Sequence, residues 1–302
     1  MSAVTKQLEI EKGAYLITLQ ISKCLLDETR GCIIGRNGTI ELQSLLGWMK
    51  RGEIDPSLSF PLERNAGVFP RDPERLNEWA QEYFEANKMA DTMAAGWYTP
   101  LAKHETDLFQ TWNPSCSLVP LRALEPYYVK PELRWTKLLA GRRVAVVSSF
   151  TETMKKQLGK RQAIWGASAE SLLPSTAEFQ FFQTGYAPSL ALGRAEWSPA
   201  AASWKEAVDR LESEILASGC RIVLIGCGGL GLPLAYRLRR VGKIVLVLGG
   251  AIQVLFGMKG KRWASHDVIG KFWNDAWAWP SDQETPMGAT LIEDACYWGG
   301  KN

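Results

Sequence analysis

Residues 221–248 read RIVLIGCGGLGLPLAYRLRRVGKIVLVL, and this run decides the fold. Residues 221–225 form a near-continuous apolar stretch that meets a glycine-rich turn. A helical pattern over 233–241 follows, and a second apolar stretch over 243–248 closes the unit. Short apolar runs without alternation read as strands buried on both faces. Strand, helix, strand in that order implies a right-handed crossover and parallel pairing.

The same punctuation extends upstream. RVAVVS at 143–148 reads as a strand after the basic turn Gly141-Arg142-Arg143, followed by a short helix at 153–158 and a strand at 179–182. Residues 203–218 form an amphipathic helix with Trp204, Val208, Leu211 and Ile215 on one face. In the first half, 16–26 has helical spacing with Lys23 outward, and 32–35 reads as a buried strand. That strand feeds the loop Gly35-Arg36-Asn37-Gly38-Thr39 and a helix over 40–49. Arg71-Asp72-Pro73-Glu74 starts another helix, because proline suits a first turn and acids suit the N-terminal dipole; the helix is expected to run to Asn87. The fold expected is α/β and Rossmann-like, a mostly parallel sheet flanked by helices in one unit over 1–302. A Pro/Trp-rich irregular insert is expected at about 99–135, able to act as a lid, and a Trp-rich extension at about 262–302.

Composition narrows the function classes. The 302 residues are 46% hydrophobic and 22% charged, which suits a globular chain with a sizeable core. With 35 basic and 32 acidic residues, bulk charge does not point to nucleic acid. Two histidines argue against a His-rich metal site. The six cysteines contain no CxxC pair and read as reduced, buried thiols. Residues 1–13 are polar, without the apolar core of a secretory leader. The longest apolar run, 244–258, is broken by Gln253 and by glycines, and falls short of the roughly 20 residues of a spanning helix. A cytoplasmic protein is expected, with peripheral membrane contact left open.

Three segments carry candidate chemistry. Gly226-Cys227-Gly228-Gly229-Leu230-Gly231 matches GxGxxG between a strand and a helix, a turn that lets backbone N–H groups approach a phosphate. The dinucleotide form of this motif asks for an acid about 20 residues on, at the end of the next strand. Here that strand ends in Gly249-Gly250, so the glycines can equally serve close helix–sheet packing. Arg36 to Glu41 lies between a strand end and a helix start. Arg36 suits a phosphate or carboxylate and Glu41 a metal or sugar hydroxyl, unless the two form a surface ion pair beside a cap. After the last strand come Gln253 and a loop on which Lys259, Lys261 and Arg262 place three cations, and Ser148-Ser149-Phe150-Thr151 offers hydroxyls at another strand end or a helix cap. His104 with Glu105 and Asp107, and His266 with Asp267, lack any nucleophile signature and read as exposed or packing groups.

Arg36-Asn37-Gly38-Thr39-Ile40-Glu41 resembles the Arg-x-Gly-Asp-x-Glu motif of the GT-D class of glycosyltransferases. Asn65 to Pro70 with Asp72 and Glu74, the strand 139–147, the strand–turn–helix 222–238 and the segment 245–256 resemble that class in the same order, over most of 20–260. The resemblance implies a sugar moved from a nucleotide-sugar donor, such as a UDP-sugar, to a hydroxyl acceptor on a glycan or lipid-linked sugar. It places the donor near Arg36, Asn37, Gly38, Thr39, Ser148, Gly226, Gly228, Gly229, Gln253 and Lys261. Glu41 would bind the donor or a Mn or Mg ion, and Asp91 or Asp107 would receive the acceptor's proton. Thr39 stands where the motif has its first carboxylate, and a hydroxyl with one carboxylate is a poor set for a hard cation. Two other readings stay open: a non-catalytic nucleotide- or glycan-binding protein on the same scaffold, and an NAD(P)-binding oxidoreductase. The 13 tryptophans suit either role asked of them, stacking on sugar faces or stapling an irregular tail.

Overall fold

A computed structural model describes residues 3–299; residues 1, 2 and 300–302 of the expected unit lie outside them. Seven strands are formed: β1 (Cys32–Arg36), β2 (Thr92–Ala94), β3 (Ser117–Val119), β4 (Arg143–Ser148), β5 (Glu178–Gln183), β6 (Ile222–Gly226) and β7 (Ile244–Val247). They build one sheet in the order β3-β2-β1-β7-β6-β4-β5, with every pairing parallel. This is the α/β, Rossmann-like arrangement expected. The helices that frame the site are α1 (Ala3–Leu26), α2 (Thr39–Arg51), α3 (Pro56–Ala66), α4 (Pro73–Met89), α5 (Ala102–Trp112), α6 (Thr151–Leu158), α7 (Trp204–Ser218), α8 (Gly231–Arg240) and α9 (Ala251–Leu255).

Period-two alternation divides the central strands between two cores. Ile222, Leu224, Ile244 and Leu246 face Ile17 and Ile21 of α1 and Phe256 and Trp298 of the C-terminal segment. Val223, Ile225, Val245 and Val247 face Trp79 of α4, Trp204 and Leu211 of α7, and Leu234 and Leu238 of α8. Both sets are buried, which is why β6 and β7 read as unbroken apolar runs. Caps fix the helix starts. The Asp72 side chain accepts from the Arg75 N–H, and the Ser203 side chain accepts from the Glu206 N–H.

Residues 99–135 depart from expectation. They are not an irregular insert: α5 and the edge strand β3 lie within them, and β3 extends the sheet beyond β2. β3 and its neighbour β2 have three residues each, too few to show a period. The C-terminal extension does lack long elements, and packing holds it. Trp263, Trp277 and Trp298 are buried, and the Trp298 indole donates to the Glu284 carbonyl at 3.2 Å. The Glu284 carboxylate accepts the N–H groups of Glu152 and Thr153 at 2.8 and 3.1 Å, at the start of α6. Most C-terminal tryptophans therefore staple this segment to the core. Among the described residues no helix is long and apolar enough to cross a membrane.

Asp91 sits just before β2, at the amino edge of the sheet. Its carboxylate accepts from the Ile33 N–H at 3.0 Å, Arg239 Nε at 3.1 Å and Gln20 Nε2 at 3.2 Å. It thus ties α1, β1 and the end of α8 together. Replacing it with alanine strands partly buried donors and should cost about 1–3 kcal/mol. Chemical denaturation of Asp91→Ala checks this; a loss under about 0.5 kcal/mol, the scale of a surface change, would show that the clamp carries little.

Candidate functional site

In a parallel sheet every strand ends at one edge, and the loops that follow gather there. At this carboxyl edge lies a cavity of about 630 Å³, within the range of small-molecule sites. The ends of β1, β4, β6 and β7 open into it through Arg36, Ser148, Gly226 and Gly249. Ser148 and Gly226 are register partners on adjacent strands. From β4 the chain proceeds outward to β5, and from β6 it proceeds the other way to β7. The two residues therefore mark a switch in strand order, where open α/β sheets form their crevice.

Arg36 is the centrepiece. Its guanidinium lies 4.9 Å from the centre of the Trp97 ring and donates to the Asn37 carbonyl at 3.3 Å. On its other side is Gly249. A Cβ there would stand 2.6 Å from Arg36 Nη2, and Gly249 has φ 58°. Gly249, just past the end of β7, is thus what gives Arg36 room. Arg36 makes no ion pair among the described residues. Neither does Arg64 of α3, which also lines the cavity and donates to Asn65 Oδ1 at 3.2 Å. A third cation on the wall, Arg262, is held by Glu293 and donates to the Tyr297 hydroxyl at 3.0 Å.

The predicted residues divide into three groups. Arg36, Gly38, Thr39, Glu41, Ser148, Gly226, Gly228 and Gln253 come together on this wall, although they are spread over more than two hundred positions of sequence. Asn37 and Gly229 stand behind it as supports. Asn37 is buried and donates to Glu105 Oε1 at 3.0 Å, while Glu105 Oε2 accepts the Gly96 N–H at 2.8 Å. This fixes the turn that carries Trp97 onto Arg36. The Gly229 carbonyl accepts from the Trp79 indole at 2.8 Å, and a Cβ on Gly229 would stand 2.7 Å from Val68 Cγ2. A Cβ on Gly228 would stand 2.7 Å from the Ala66 carbonyl oxygen. Close packing of the turn against the end of α3 accounts for these two glycines.

Asp91, Asp107 and Lys261 lie apart from the cavity. Asp91 is the clamp at the opposite edge, Asp107 is exposed on α5, and the exposed Lys261 donates to the Asp294 carbonyl at 3.1 Å. Arg262, its neighbour, is the cation of that loop that reaches the wall.

Glu41 belongs to the first turn of α2 and is buried. Its carboxylate folds back over Gly38, where a Cβ would stand 1.9 Å from Glu41 Oε2. Burial raises its pKa above the ordinary carboxylate range, against the pull of its own N–H and of Arg36. Thr39 and this one recessed carboxylate do not make a hard-cation site. Among the described residues no three His, Cys, Asp or Glu side chains come together to hold a metal ion.

Gln253 is fully buried. Its amide nitrogen donates to the carbonyls of Lys259 and Tyr297, both at 2.8 Å, and its Oε1 has no partner among the described residues. The Trp197 indole nitrogen, on the same wall, is likewise without a partner among them. Unpaired buried polar atoms are costly, and both belong to residues that line the cavity. Arg64 and Tyr297 stand outside the strand-end loops that motif reading inspects, and Tyr186 and Trp197 lie on the long connection after β5, which carries no motif. Compared with protein-family models, curated proteins and solved structures, the chain matches none of them.

The raised Glu41 pKa sets a pH dependence. The folded state holds this proton more tightly than the unfolded chain, so stability is full below the ordinary glutamate range and falls as pH rises through the raised value. Glu41→Gln removes that loss. Its stability relative to the parent should climb as pH rises above the ordinary glutamate range, measured by urea denaturation at a series of pH values. A difference that stays constant with pH would contradict the buried-carboxyl account.

Proposed function

We propose that the carboxyl-edge cavity binds a nucleoside diphosphate sugar and that the protein is a glycosyltransferase, passing the sugar to a hydroxyl acceptor. The observation that carries this reading is the pair Arg36 and Arg64, two arginines on one wall of one cavity that form no salt bridge among the described residues. Guanidiniums left free of direct carboxylate contact in a recess favour an anion, and arginine's planar fork matches phosphate oxygens. The first turn of α2, capped by Gly38 with no side-chain acceptor, adds backbone donors to the same wall. Trp97, Tyr98, Trp197, Tyr186 and Tyr297 supply ring faces for the apolar parts of a nucleoside and a sugar. The resemblance of 36–41 to the GT-D motif supports the same ligand class.

In this reading the chain's own groups do electrostatic work. Arg36 and Arg64 hold the diphosphate, and Arg262 stands ready to neutralise charge as the leaving group departs. Gln253 and Trp197 line the same wall beside the donor. No step is routed through a metal, since Thr39 and the recessed Glu41 do not fit one.

One observation favours a second reading, a binding protein without turnover: the lone carboxylate of the motif is occupied in covering Gly38. Slow release of free sugar from a bound nucleotide sugar supports the transferase; tight binding without release supports the module.

The decisive test is a thermal-shift and calorimetric panel of nucleoside diphosphates and their sugars. At least one should raise the unfolding midpoint, because a ligand bound only by the native state stabilises it. Arg36→Ala and Arg64→Ala should each weaken that ligand about tenfold or more, from the loss of a charged hydrogen bond of about 1.5–3 kcal/mol. If no nucleoside diphosphate shifts the parent, the reading fails.

A further inference from the structure

Arg36 and Trp97 do not only face the first cavity. They also form the wall of a second, of about 580 Å³, together with Gly250 and Arg262, which the two cavities share as well. The second cavity runs away from the strand ends toward α1 and the segment 120–128. Its rings are Trp97, Trp263 and Tyr128, and its cations include Arg122, stacked 4.8 Å from the centre of the Tyr128 ring. Two chambers that meet at a wall carrying Arg36 and Arg262 are what a two-substrate transfer needs: each reactant in its own space, with the reacting atoms at the common wall.

Two carboxyls line this second space: the exposed Glu9 of α1, and the half-buried Glu125 on the turn between Leu124 and Pro126. Burial pushes the Glu125 pKa up to about 7, against the opposing influence of Arg36, Tyr127 and Arg122. Tyr128 also lies within electrostatic reach of it. Lys6, Glu9, Arg262 and His266 are the other ionisable groups on the cavity wall, and the Tyr128 hydroxyl lies 3.5 Å from His266 Nε2. A carboxyl poised near neutrality can take a proton and later release it to solvent.

We propose that the second cavity is the acceptor subsite, that it takes a sugar ring against its aromatic walls, and that Glu125 is the general base. The proposal rests on the transferase reading above. The acceptor hydroxyl loses its proton to the Glu125 carboxylate. Its oxygen forms a bond to the anomeric carbon of the donor sugar. The bond from that carbon to the diphosphate oxygen breaks, and the electron pair leaves with the nucleoside diphosphate, whose charge Arg36 and Arg262 face from the shared wall. Glu125 then returns the proton to solvent. Sequence reading assigned the base to Asp91 or Asp107, neither of which lines either cavity.

The test uses the full chain, the nucleotide sugar that most stabilises it and a panel of p-nitrophenyl glycosides as acceptor probes. Glu125→Gln should fold with the parent's unfolding transition and keep the parent's nucleotide-induced thermal shift. Its kcat for transfer, or for donor hydrolysis by water, should fall a hundredfold or more. The acidic limb of the parent's kcat/KM profile, with a midpoint near pH 7, should vanish, and Glu125→Asp should restore part of the rate. A Glu125→Gln rate within threefold of the parent, or an unchanged limb, overturns the assignment of Glu125 while leaving the donor site intact. Loss of all nucleotide binding in the parent fails the transferase reading, and this proposal with it. Saturation of the parent by a p-nitrophenyl glycoside that is unaffected by Tyr128→Ala overturns the placement of the acceptor.

Discussion

The central strands are buried on both faces, and that constraint arranges everything else. No side chain of β6 or β7 is available for chemistry, because alternate residues fill one core or the other. Polar groups can enter only where the strands stop. All seven strands stop at one edge, so segments far apart in sequence are delivered to one wall. The site is a consequence of the sheet being parallel and covered on both sides.

At that edge the limiting resource is space for a guanidinium. Arg36 occupies the gap between the Gly249 backbone and the Trp97 ring, and each side of the gap has its own support. Gly249 supplies a left-handed turn and no side chain. Trp97 is carried by a turn that Glu105 pins through Gly96 and Asn37. Glu105 stays buried with its pKa raised by desolvation, a cost the fold meets to keep this turn in place. Asn37 and Gly229, which the sequence places among the donor contacts, instead hold those contacts in position.

Much of this was legible in the residues themselves. The runs at 143–148 and 221–248 gave strands and helix within a residue or two, since double-sided burial leaves no polar interruption to misread. The strand-end positions Arg36, Ser148 and Gly226 followed from the same logic. Two kinds of feature were not legible. The strands Thr92–Ala94 and Ser117–Val119 are too short to carry a period, and with the second of them unmarked 99–135 reads as irregular. Asp91 read as a free acid because nothing local marks its partners: Gln20, Ile33 and Arg239 come from three distant segments. Glu125 was hidden for the same reason, since its environment is made by Arg36 and the turn around it rather than by any motif.

Backbone hydrogen exchange with and without a saturating nucleoside diphosphate tests the central claim most directly, because it reports which edge of the sheet the ligand touches. The account predicts added protection at 36–41, 64–67 and 226–230 together, with the amino edge around Asp91 unchanged. Protection confined to the amino edge, or none at the three carboxyl-edge segments, would contradict it.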